Sequence, residues 1–116
     1  MRIRDIQKVL NAELLTQGDN LDREVHTACG SDMMSDVLAY VKDQAVLVTG
    51  LNNPQVVRTA SMMDMVCIVF VRGKRPDESI IRLAKELDIV VLATNLTMFS
   101  SCGLLYEAGL HGGERT

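Results

Sequence analysis

Val66-Cys67-Ile68-Val69-Phe70-Val71, followed at once by Arg72-Gly73-Lys74-Arg75-Pro76, is the stretch on which the fold turns. Six apolar residues rich in β-branched side chains run without a polar interruption, then give way to a short basic turn. A strand with one wet face alternates, whereas an unbroken run signals a strand covered on both faces, as in a parallel sheet. Two more runs have the same character, Ala45–Thr49 and Ile89–Thr94. The three begin 21 and 23 residues apart, a strand–loop–helix rhythm that requires right-handed crossovers between parallel strands.

Each run is followed by a helical pattern with its own start signal. Asn53 caps the first, with Pro54 at the favoured opening position, and turns Val56, Val57, Ala60 and Met63 inward. Asp77 caps the second, with Ile80, Ile81, Leu83, Ala84 and Leu87 inward; Thr97 caps the third, with Phe99, Cys102, Leu105 and Tyr106 inward. Upstream, Ile3, Ile6, Val9 and Leu10 predict a helix over residues 3–12, followed by a short strand at Leu14–Thr16. Residues 21–27 alternate and read as a half-exposed strand near a sheet edge. Met34, Val37, Leu38 and Val41 mark a further helix, entered through Ser31 or Asp32 as cap. The expected architecture is a three-layer α/β/α domain with a mainly parallel central sheet of four to five strands. It spans residues 1–110, and the glycine-bearing segment 111–116 is expected to be a flexible tail.

Composition agrees. A chain of 116 residues with 47% hydrophobic and 23% charged residues can form one core and no second domain. Four aromatic residues and a net charge of −3 argue against a nucleic-acid partner. The longest apolar runs are too short to cross a membrane. Cys29, Cys67 and Cys102 form no CxxC pair, and no apolar leader precedes the first helix, so a cytoplasmic location is expected.

In an open parallel sheet, ligands collect beyond the carboxyl ends of the strands. Four segments should arrive there: residues 26–32, 49–53, 72–77 and 94–97. They bring Gly30, Gly50 and Gly73, the basic residues Arg72, Lys74 and Arg75, and the polar residues Thr49, Asn52, Asn53, Thr94, Asn95 and Thr97. Glycine N–H groups and cations suit a phosphate, and small polar side chains suit a ribose. The same residue types also serve ordinary turns and caps. No dinucleotide fingerprint and no Walker loop is present, and two histidines leave little for a metal or an acid–base pair, so no cofactor, metal or catalytic residue is expected. Cys29, between His26 and Asp32, offers an alternative reading as a reactive thiol at a helix N-terminus in a thiol enzyme or redox sensor. Met33-Met34 and Met62-Met63 cannot each turn both members inward, which leaves apolar surface for a homodimer to cover.

An N-terminal helix, then Asn20-Leu21-Asp22-Arg23-Glu24-Val25, Val46-Leu47-Val48-Thr49-Gly50 and Gly73-Lys74-Arg75-Pro76, together resemble the DRTGG domain family over about residues 3–110. That family is similar in fold to the N-terminal domain of HPr kinase/phosphorylase. The family's Asp-Arg falls on Asn52-Asn53 here and its Thr-Gly-Gly on Val71-Arg72-Gly73. The resemblance implies a small regulatory or interaction module, often dimeric and often attached to nucleotide-sensing CBS-type domains, with no established chemistry. The function expected is therefore a homodimeric, non-catalytic regulatory domain that takes a small anionic ligand such as a nucleotide at the sheet's carboxyl edge. A purely structural assembly module of a larger enzyme is the other reading.

Overall fold

The computed structural model describes residues 1–16, 18–40 and 44–113. The three apolar runs form β3 (Ala45–Thr49), β4 (Cys67–Phe70) and β5 (Val90–Ala93), and every residue in them is buried. They pair in parallel with Val46 beside Cys67 and Cys67 beside Val90. β2 (Thr27–Gly30) adds in parallel to β3, and β1 (Glu13–Leu14) adds antiparallel to β5, so the sheet order is β1-β5-β4-β3-β2.

Because β2 to β5 step one way across the sheet, right-handed crossovers put their connecting helices on one face. These are α2 (Met34–Tyr40), α3 (Pro54–Met62) and α4 (Glu78–Glu86). Val37, Val56, Val57, Ala60, Ile80 and Ala84 pack there against Leu47, Ile68, Phe70 and Val91. The other face carries α1 (Ile3–Leu10) and α5 (Met98–Glu107), whose Ile3, Ile6, Leu10 and Leu105 meet Val46, Val48, Val69 and Leu92. Alternate residues of each strand thus feed two cores, which is why the runs contain no polar side chain before their last residue.

The three caps form as the residue types require: Asn53 accepts from Gln55 N, Asp77 from Ile80 N and Thr97 from Ser100 N. Elsewhere the structure corrects the expectations. Residues 21–25 are not a sheet strand, because their backbone pairs instead with the N-terminal segment: Ile3 N donates to Arg23 O at 3.1 Å and Arg4 N to Leu21 O at 2.8 Å. The strand beside β3 starts only at Thr27, so His26 lies at the amino end of the sheet, where its N–H donates to Gln44 O. The first short strand is Glu13–Leu14, although Thr16 still bonds Val91 N through its hydroxyl.

The inward face of α5 is Met98, Ser101, Cys102 and Leu105; Phe99 and Tyr106 point outward, 88% and 63% exposed. Leu87, at the end of α4, is also exposed. Neither Ser31 nor Asp32 caps α2: Ser31 Oγ accepts from Met33 N, and Asp32 reaches across to β3. Val41 and residues 114–116 lie outside the described residues, while His111 O accepts from Ala28 N and its ring stacks on Tyr106 with centroids 4.2 Å apart.

Candidate functional site

The turns leaving β3, β4 and β5 meet at one rim. Asn52 Nδ2 donates to Arg75 O at 3.3 Å, joining the first turn to the second. Arg72 N donates to Leu96 O at 2.8 Å and Gly73 N to Thr94 O at 2.9 Å, joining the second to the third. The chain leaving β4 goes to one face as α4, and the chain leaving adjacent β5 goes to the other as α5. That divergence is a topological switch point, the place where open α/β sheets form a crevice. Here the crevice is a cavity of about 250 Å³ lined by Asn11, Glu13, Gly73, Arg75, Ala93 and Asn95.

The backbone explains why this turn has its sequence. Arg72 and Gly73 both take left-handed conformations, at φ 58° and 69°. Glycine adopts that region freely, and an arginine there is held by the hydrogen bond to Leu96 O. Beside it, a Cβ on Gly50 would stand 2.7 Å from Arg72 Nη2, so glycine at that position is what lets the guanidinium lie against the end of β3.

Several residues read as lining are also engaged by the fold. Gly30 is pressed against α5, where a Cβ would meet Cys102 Sγ at 2.6 Å. Thr94 is buried; its hydroxyl donates to Leu10 O at 2.8 Å and accepts from Leu96 N at 3.3 Å. Thr49 Oγ1 accepts from Leu51 N and donates to Asp32 Oδ1, and Asn53 is occupied as the α3 cap. Arg75 reaches Glu13 at 2.6 Å, and its guanidinium holds that carboxyl below the usual carboxylate range. Arg72 and Lys74 remain, exposed and in no ion pair among the described residues.

Two residues of the rim were not among the expected anion-binding residues. Asp32 accepts from Gly50 N at 2.7 Å and from Thr49 Oγ1 at 3.0 Å. In the sequence it stands where a helix cap belongs, so nothing pointed to its reaching the next strand. Glu13 enters through antiparallel β1, a two-residue strand that periodicity cannot mark. Cys29 lies within β2, paired in register with Leu47, and not at a helix N-terminus, which removes the dipole argument for a thiolate there. Burial pushes the Cys67 and Cys102 thiols up. Among the described residues no three His, Cys, Asp or Glu side chains stand close enough to hold a metal, and no helix is long and apolar enough to cross a membrane.

A mostly parallel sheet covered by helices on both faces defines the chain as an α/β domain. The chain belongs to the DRTGG domain family, which matches residues 5–108 and bears out the resemblance carried by its motifs. It is similar to the solved structure of the CBS and DRTGG domains of the regulatory region of Clostridium perfringens pyrophosphatase, complexed with the activator diadenosine tetraphosphate. The TM-score is 0.76 at 17% identity, over 90% of this chain and 45% of that chain. The present chain thus spans less than half the length of that protein region. No curated protein matches the sequence.

Proposed function

We propose that this domain is a non-catalytic regulatory module that binds a small phosphate-bearing anion, such as a nucleotide, at the carboxyl rim of its sheet. The observation that carries this reading is the pair of exposed cations, Arg72 and Lys74, on a left-handed turn whose guanidinium lies against Gly50. An otherwise acidic chain places its densest basic cluster beside a switch-point cavity. The related pyrophosphatase region, captured with a nucleotide activator, agrees with this class of ligand. Asn52 and Asn95 would supply neutral hydrogen bonds beside the two cations, and Arg75 would contribute only after leaving Glu13. Calorimetric titration with ATP and with inorganic phosphate tests the reading. Saturable binding that weakens about tenfold or more in Arg72→Ala is expected, since a charge-assisted hydrogen bond is lost; a titration unaffected by that substitution removes the site.

A second observation favours a homodimer. Phe99, Gly103 and Tyr106 form one outward stripe of α5, and a Cβ on Gly103 would touch nothing within 4 Å. The stacking of Tyr106 on His111, whose carbonyl bonds Ala28, puts that stripe beside the outer edge of β2. On the opposite face Tyr40 and Met33 are exposed as well. A second copy, or the larger enzyme of which such domains form part, would cover this flank. Light scattering checks it: a dimer at micromolar concentration that Phe99→Ser converts to monomer is expected, and a wild-type monomer at those concentrations overturns it.

A further inference from the structure

We infer that Asp32 is a built-in competitor for the rim, occupying with its own carboxylate the position an anionic ligand would take at the end of β3. This inference rests on the reading of the rim as an anion site and adds how entry to it is controlled. Asp32 is held by the donors a phosphate oxygen would use. Its Oδ1 accepts from the Gly50 N–H at 2.7 Å and from the Thr49 hydroxyl at 3.0 Å, and Arg72 Nη2 lies over the same glycine. A glycine N–H, a hydroxyl and a nearby guanidinium make up an anion seat, and the distance to the N–H is that of a charge-assisted bond. The seat is therefore formed and filled within the chain.

Two features set Asp32 apart from an ordinary turn residue. The turn is already closed without it, because Ser31 Oγ both accepts from Met33 N and donates to Met33 O. The bonds of Asp32 instead cross from the β2–α2 connection to the β3–α3 connection, so releasing it removes two of the ties there and leaves the Ser31 N–H bond to Val48 O. A ligand that displaces the carboxylate thereby loosens the entry to α2, whose exposed Tyr40 lines a cavity with Ala28, Cys29 and Gly30 of β2. Displacement links rim occupancy to that surface, and the cost of displacement lowers the apparent affinity of the rim.

The test compares wild type, Asp32→Asn and Asp32→Ala, each alone and combined with Arg72→Ala, by calorimetric titration with inorganic phosphate and with ATP. Asp32→Asn keeps the side-chain shape and an oxygen acceptor, so it remains informative should the alanine variant fold poorly. Removing the competing charge is expected to tighten binding of both ligands about tenfold or more, the equivalent of one charged hydrogen bond, and Arg72→Ala should cancel the gain. Equal affinity in wild type and both Asp32 variants, with binding still dependent on Arg72, overturns the inference and leaves the rim site standing. Absence of binding in every protein removes the rim site and the inference together. A purely structural Asp32 would lower the unfolding midpoint of the variants without moving either affinity.

Discussion

At the two ends of one rim the chain satisfies a carboxylate of its own, and the two arrangements are built differently. Asp32 bonds a backbone N–H and a hydroxyl, while Glu13 meets only the guanidinium of Arg75, with both side chains more than half exposed. A carboxylate tied to partly buried donors leaves at a cost unless another acceptor takes its place. An exposed ion pair can exchange each partner for water at little loss. The end of β3 is consequently closed until a competing anion takes over its donors, and the end of β5 is a place where side chains trade partners with water.

That contrast can be broken in order of expected effect. Asp32→Ala leaves the Gly50 N–H and the Thr49 hydroxyl without their acceptor, and should lower the unfolding free energy by about 2–3 kcal/mol in denaturant titration. A loss below about 0.5 kcal/mol would put the two ends of the rim on the same footing. Gly73→Ala forces a side chain into φ 69° with its Cβ 3.2 Å from Asn95 Oδ1, and should cost about 1–2 kcal/mol by the same measurement. Gly50→Ala confronts only the far end of Arg72, a flexible side chain. It should shift stability by less than about 1 kcal/mol, yet weaken phosphate binding by moving the guanidinium.

Glu13→Gln should leave the thermal midpoint unchanged at neutral pH and physiological salt. Its signature is in acid. Arg75 depresses the Glu13 carboxyl in the folded state, so the stabilisation from the pair is complete above the unfolded value, about pH 4.3. It fades as the pH falls through the lower folded value. Wild type and Glu13→Gln should therefore differ, if only slightly and at low salt, near neutral pH, and converge in strong acid. A difference that grows on acidification would contradict the pairing.

How much of this could be read from residue order follows from where the information lies. The runs 45–49, 66–71 and 89–94 identified their strands because burial on both faces leaves no room for a polar residue, a constraint written locally. Asn53, Asp77 and Thr97 were legible as caps because a cap is satisfied within three residues of itself. The rest depends on distant partners. Leu21–Val25 alternates like a strand, yet its donors and acceptors are met by Met1–Arg4. Phe99 and Tyr106 are apolar at helical spacing, yet the core side of α5 is taken by Met98, Ser101, Cys102 and Leu105.

For the site the same division holds. Arg72, Gly73 and Lys74 could be placed because they follow a clear strand, and the convergence of the turns at Asn52 and Arg75 is the geometry that parallel strands demand. The structural partners of Gly30 and Thr94, Cys102 and the Leu10 carbonyl, could not be read locally, since they lie far away in the chain. Asp32 was hidden for the opposite reason: its local context offers a plausible cap, and only the fold brings Gly50 within 2.7 Å of it.

The most direct measurement is a titration of the ¹⁵N-labelled domain with ATP, followed by amide resonances. Saturable shifts concentrated at Gly50, Leu51, Arg72 and Gly73, abolished in Arg72→Ala, are the expected result. Shifts confined to β2 and the outward face of α5, or a spectrum indifferent to ATP at millimolar concentration, would contradict the assignment of ligand binding to this rim.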